Sequence, residues 1–272
     1  MILHTLNLKI SIEKIHCFNK GDGSGKAEPY LWPLFFKIDG ESFTIEQNIG
    51  LVGFPILFTT NGNHKNLTNQ GVSSGEYVAV PENVGTWETK LLPIINHGND
   101  NLFPDTIPGF VGVVVVLMEQ DSWPNSFAQI GYDALRDSIK LGLIETAENY
   151  QHLNGIPTQN QLDNIIQSIK DKAKSDVYNA IKAAMDGEEL IKFGFPGHLG
   201  NNDDKIGEEA FIHRQDEIII ESLPVGATFK AVLPFSRRWD KKESGGNGDW
   251  EISGSFTGEF LNVTKLPVAG TI

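Results

Sequence analysis

Leu6, Leu8, Ile10 and Ile12 alternate with Asn7, Lys9, Ser11 and Glu13, the period-two pattern of a strand with one face buried and one in water. The pattern changes at Tyr30–Ile38, which is aromatic or apolar almost throughout and reads as a strand covered on both sides. Phe43–Gln47 and Leu51–Thr60 form a further pair of strand candidates, and 61–75, rich in Asn, Gly and Ser, predicts a loop. Glu76–Val80 and Thr86–Ile95 read as strands separated by a polar turn over 81–85. After the polar loop 96–109 comes Phe110–Met118, with Val113-Val114-Val115-Val116-Leu117 at its centre. It is the strongest strand candidate, apolar on both faces, and so belongs in the middle of a sheet.

At Asn125 the period becomes helical. Ile130, Ala134, Leu135, Ile139, Leu143 and Ala147 recur at three- and four-residue steps, as do Leu162, Ile165, Ile166, Ile169, Ala173, Val177, Ala180, Ile181, Ala184 and Met185. Between the two runs, Gly155, Pro157 and Thr158 supply a stop and a fresh start. Residues 194–204 return to loop. Phe211–Ile220, Thr228–Phe235 and Trp250–Thr264 resume strand patterning, with Lys241–Gly248 as a hairpin turn. No internal repeat is evident. The expected architecture is a mainly β chain: one antiparallel β-sandwich domain of about eight strands over residues 1–272. A two-helix hairpin is inserted within it over about 125–200.

Composition narrows the function classes. Of 272 residues 40% are hydrophobic, with 28 Gly and 13 Pro, an ordinary composition for a turn-rich globular chain. The formal net charge of -13 disfavours nucleic acid, and disfavours anionic membranes unless cations bridge. Cys17 is the only cysteine, which leaves no internal disulfide and no thiolate metal cluster. Beside a strand it is expected to be buried and inert. The opening residues lack the basic start and apolar core of a signal peptide, and no apolar run approaches the about 20 residues that span a bilayer. The expectation is a protein soluble and cytoplasmic as synthesised, unless exported by a route without a signal peptide.

Acidic loop residues are the candidate chemistry. Asp22 and Gly25 are followed by Glu28-Pro29-Tyr30-Leu31, in a Gly-rich loop between the first two strands. After the strongest strand come Glu119 and Asp121, and beyond the helical block lies Asp203-Asp204-Lys205-Ile206-Gly207. This arrangement resembles C-two domains, the calcium-dependent lipid-binding β-sandwiches of protein kinase C and synaptotagmin. Their first loop carries Asp, Gly and acid-Pro-Tyr-aliphatic at this spacing. Their third loop opens on two acids one residue apart and closes on acid-apolar-Ile-Gly. Glu28 stands where the family usually has Asp. An earlier Gln129-Ile130-Gly131 lacks its acid because Ala128 precedes it, so Asp204 is taken as the close, with the helical pair inside the third loop. The resemblance implies a calcium ion held by Asp22, Glu28, Glu119, Asp121 and Asp204, since calcium takes six to eight flexible oxygen ligands. The alternative is solvated loop acids in a chain that carries 35 acidic residues. Trp123 and Phe127, just beyond Asp121, are the candidate membrane or partner contacts, or else pack the helical pair onto the sandwich.

Other signals carry less. The stretch from Gly21 to Lys26 lacks the spacing, the following Ser or Thr and the helix of a phosphate-binding loop. The seven histidines are scattered without ligand spacing, and no nucleophile elbow is present. The leading function is therefore a non-enzymatic binding module. It recognises a membrane surface or a protein partner through loops at one end of a sandwich, with calcium as the cofactor the resemblance implies. Two alternatives stand beside it: a toxin or effector whose amphipathic helical pair inserts into a target membrane, and a self-assembling structural protein.

Overall fold

The computed structural model describes residues 4–21, 25–46, 50–67, 71–97, 105–120, 125–150, 164, 167, 171, 204–225 and 228–261. Fourteen strands are assigned among them. The first sheet runs β12 (Leu223–Val225), β13 (Thr228–Trp239), β14 (Asp249–Leu261), β1 (Leu6–Asn19) and β6 (Tyr77–Ala79), with β7 (Thr86–Leu91) pairing another stretch of β1. The second runs β11 (Asp204–Arg214), β10 (Phe110–Glu119), β2 (Pro29–Ile38) and β5 (Ile56–Thr59). All named strand pairs are antiparallel. Two short ribbons, β3–β4 (Phe43–Glu46, Gly50–Gly53) and β8–β9 (Ile94–Ile95, Thr106–Ile107), complete the sheets, and a single helical turn, α1 (Glu82–Gly85), leads into β7.

The alternation in β1 is the sandwich interface. Leu6, Leu8, Ile10 and Ile12 point inward and pack with Phe35, Val113, Val115 and Phe256 in one buried cluster. Each such side chain is stabilised by about 1.5–3 kcal/mol on burial. β2 and β10 are apolar on both faces because both faces are covered. Odd positions such as Leu31 and Phe35 face the first sheet. Trp32, Leu34, Phe36, Val114 and Val116 face a second cluster closed by α2 (Asn125–Tyr150) and β3–β4. Helix α2 presents Ala128, Tyr132, Leu135, Ile139 and Leu143 to it, all buried. The Tyr132 hydroxyl donates to the Pro33 carbonyl and accepts from the Thr60 N–H at 3.2 Å. Burial pushes that phenol up to about 12.

Strands on either side of the helical block share sheets: β10 pairs β11 directly, and β6 and β7 lie in the sheet of β13 and β14. Of the second helical run only 164, 167 and 171 are described, and these are helical. The apolar stripe expected from Leu162 to Met185 lies outside the described residues. The mainly β, antiparallel sandwich is the architecture expected, with finer divisions: the expected strand 51–60 divides after Gly53 into β4 and β5, 86–95 divides at Leu92-Pro93 into β7 and β8, and β9 and β12 are additional short strands. The expected strand Phe211–Ile220 also ends at Arg214. Gln215–Ile220 is a helical turn, α3, in which the Glu217 carboxylate accepts from the Arg214 N–H at 3.1 Å.

One end of the second sheet is closed by buried polar groups. Lys37, 1% exposed, donates from Nζ to Asp39 at 3.1 Å, to Glu41, and to the Lys90 carbonyl at 2.8 Å. Asp39, fully buried, also accepts the Leu92 N–H at 2.9 Å. Beside them the fully buried Gln215 accepts from the Gly109 N–H at 3.0 Å and donates to the His4 carbonyl at 2.7 Å. The opposite end carries the acidic loops.

Candidate functional site

At that opposite end three neighbouring strands finish level. Pairing puts Glu119 of β10 opposite Pro29 of β2 on one side and opposite Asp204 of β11 on the other. The backbone bond continues past the strands, with the Gln120 N–H donating to the Glu28 carbonyl at 3.0 Å. Glu28, Glu119 and Asp204, distant in sequence, thus arrive on adjacent strand ends. Glu28 is exposed and Glu119 half-buried; for Asp204 only the backbone is described. Asp22, Asp121 and Trp123 lie outside the described residues. Phe127 lies in the first turn of α2, its side chain outside them.

The first sheet reaches the same end. The Cys17 N–H donates to the Glu76 carbonyl at 3.0 Å, and the Gly75 N–H to the Cys17 carbonyl at 2.6 Å. Burial, with Glu119 and Glu76 adding to it, pushes the Cys17 thiol up to about 12. The β13–β14 hairpin lies against the base of the Asp22 loop. Gly248, at φ +100°, leaves room where a side chain would meet the Asn19 carbonyl at 2.2 Å. Its Asp240 accepts the Lys242 and Glu243 N–H groups at 2.8 and 2.9 Å, and the buried Ser244 hydroxyl donates to the Gly248 carbonyl at 2.7 Å.

Could the donor set hold a hard cation? The amide oxygen of Gln120, beside Glu28 and directly after Glu119, is buried with no hydrogen-bond partner. A buried acceptor without a donor costs about 1–3 kcal/mol, and a neutral amide oxygen is a calcium ligand. Carboxylates are the other oxygen ligands calcium takes, and the pairing brings the backbones of Glu28, Glu119 and Asp204 to neighbouring strand ends. Among the described residues no group of three or more His, Cys, Asp or Glu side chains is arranged to hold a metal; the remaining acids of the set are Asp22 and Asp121.

Sequence reasoning missed two features of this end. On the outer face of the first sheet, Tyr77 stacks on His16 at 3.9 Å and 12°, and His16 meets Phe18 at 3.8 Å. The row is capped by Lys14 over Tyr77 at 5.3 Å and by the Arg238 guanidinium over Phe18 at 3.9 Å. Arg238 forks onto Asp249 at 2.6 and 2.7 Å, and this pairing holds the Asp249 carboxyl below its ordinary range. The outward alternation of His16 and Phe18 was the available signal; the Tyr77 partner comes only from strand pairing. Beside the stack, Lys26, Leu67, Val72, Glu76 and Tyr77 line an open cleft of about 480 Å³.

Comparison with protein-family models, with curated proteins and with solved structures finds no match to this chain.

Proposed function

We propose that this protein is a non-enzymatic binding module whose acidic loop end takes a calcium ion and, with it, engages a membrane surface or a protein partner. The observation that carries the reading is that strand pairing brings the backbones of Glu28, Glu119 and Asp204 to adjacent strand ends, where the Gln120 amide oxygen is buried without a hydrogen-bond partner. In sequence Asp22 precedes Glu28 by six residues and Asp121 follows Glu119 by two. Without a cation such a set repels itself. A bound calcium removes that repulsion and supplies a local positive site in a chain of net charge -13. Anionic headgroups or an acidic protein surface then become acceptable partners. Trp123 and Phe127 follow Asp121 in sequence and are suited to an interfacial or apolar contact.

The packing of α2 favours this reading over an inserting toxin. Its buried Ala128, Tyr132, Leu135, Ile139 and Leu143 pack in one cluster with β2 and β10, and among the described residues no helix is long and apolar enough to cross a membrane. Co-sedimentation with vesicles containing phosphatidylserine tests the membrane arm. Binding with calcium, release with chelator and no leakage of trapped dye are expected. Dye leakage without calcium overturns the proposal in favour of an inserting protein.

A further inference from the structure

The cleft beside Tyr77 has a chemistry of its own. Lys26, Leu67, Val72, Glu76 and Tyr77 line it, and its volume of about 480 Å³ falls among small-molecule sites, which run about 300–1,000 Å³. Backbone bonds frame it. Ala27 and Val72 exchange N–H···O bonds at 2.9 and 2.7 Å, which clips the segment before β2 to the segment before β6. A Cβ at Gly71 would lie 2.5 Å from that of Lys26, so this close approach needs glycine.

Tyr77 forms one wall. It is 61% exposed, yet its ring is backed: His16 stacks on it at 3.9 Å and 12°, Phe18 meets His16 at 3.8 Å, and the Arg238 guanidinium lies over Phe18. A ring supported in this way is already ordered, so a ligand that stacks on it does not have to order it. Charge then narrows the ligand. Lys26 and Glu76, both exposed, are the charged residues of the lining, and their signs are opposite. The net charge of -13 repels a polyanion. Lys14, 5.3 Å from the Tyr77 centroid, together with Lys26 repels an ammonium ligand. The chemistry left is neutral, with one flat apolar face for the ring and hydroxyl groups for an amine and a carboxylate. A sugar ring has that form. The Lys26 ammonium donates only, and the Glu76 carboxylate keeps acceptor capacity beyond the bond it takes from the Ser73 N–H at 2.6 Å.

We propose that the cleft at Tyr77 binds a neutral saccharide unit, with one C–H face of the sugar on the Tyr77 ring and its hydroxyls hydrogen-bonded to Lys26 and Glu76. The cleft is open to solvent, so an internal unit of an oligosaccharide fits as well as a terminal one. The site does not depend on calcium.

Saturation-transfer-difference NMR on the full chain tests this, with cellotriose, maltotriose, mannotriose and triacetylchitotriose as probes at millimolar concentration. Chelator is present throughout, so the outcome is separate from that of the calcium reading. At least one probe is expected to receive saturation, strongest at the ring C–H protons of one sugar unit. Tyr77→Ala is expected to weaken that binding about tenfold or more while leaving the melt close to wild type, because the position is exposed. Tyr77→Trp keeps a flat ring and is expected to retain binding. No saturation in any of these sugars overturns the proposal, and so does binding that survives Tyr77→Ala. Displacement of the bound sugar by millimolar inorganic phosphate makes the cleft an anion site and overturns it as well.

Discussion

Ile139 decides whether α2 belongs to the core. It is fully buried in the cluster between α2 and the second sheet, whereas Leu141, two residues along the same helix, is 51% exposed. Ile139→Ala removes buried methyl and methylene groups and leaves a cavity, at about 2–5 kcal/mol. An unfolding entropy of about 2.1 cal/mol/K per residue over 272 residues is about 0.57 kcal/mol/K. The expected fall in Tm is therefore about 3.5–9 °C. Leu141→Ala, on the exposed side, should stay within about 0.5 kcal/mol of wild type, or about 1 °C. Differential scanning calorimetry of the two variants at one pH and one protein concentration reads both shifts. If Ile139→Ala melts with the wild type, the apolar side of α2 is not committed in solution. The insertion reading would then regain its standing. If both variants fall equally, the helix is packed differently from the structure described.

Asp39→Ala breaks a buried ion pair and strips the Leu92 N–H of its acceptor, a loss of about 3–5 kcal/mol, read as a Tm drop of about 5–9 °C. Lys37→Met combined with Asp39→Leu should recover part of it, and no recovery would mean the pair contributes more than it costs. At acid pH the sign follows from Asp249, whose folded carboxyl is held below the unfolded value of 3.8 by Arg238. Stability from that pair is present above 3.8 and lost as pH falls through the folded value. Asp249→Asn should therefore flatten the acid limb of a stability–pH curve, and an unchanged limb refutes it. At alkaline pH Cys17 and Tyr132, both raised to about 12 by burial, retain protons that the unfolded chain releases from 9.0 and 10.0. Their contribution is complete below 9.0 and declines toward 12, so chemical denaturation midpoints should fall over that window, less steeply in Tyr132→Phe. Thiol reagents should leave Cys17 untouched at neutral pH until denaturant is added; labelling of the native chain refutes its burial.

The sheets were legible because burial writes itself into the period. β1 alternates because one face is wet, and β2 and β10 do not alternate because α2 covers the second face. The turn at Gln215 was not legible. Ile218-Ile219-Ile220 is β-branched and favours a strand, but tertiary contacts override that preference: Gln215 and Ile218 are buried in the sandwich, and Glu217 closes the helical turn on Arg214. In α2 the expected Leu135, Ile139 and Leu143 are buried, but the first turns differ: Ala128 and Tyr132 are buried where Ile130 and Ala134 are only half-covered. An apolar side chain at a boundary position reads as core in sequence, and a Tyr with its hydroxyl satisfied does not. Lys37 was hidden inside an apolar run, and its burial depends on a carbonyl 53 residues away. At the loop end, β10 and β11 were readable as strands, yet only their register brings Asp204 beside Glu119.

Calcium titration of the full chain by isothermal calorimetry, with a matched thermal melt, tests the central claim most directly. A ligand bound only by the folded state at 100 times its Kd adds about 2.7 kcal/mol, which at this chain length is a Tm rise of about 5 °C. The account predicts that rise with calcium, little with magnesium because of its tight octahedral shell, and none with calcium in Asp121→Asn or Glu119→Gln. It also predicts that each of those variants is more stable than wild type without metal, since each relieves the repulsion among crowded carboxylates. No heat of binding and an unchanged melt at millimolar calcium would contradict it.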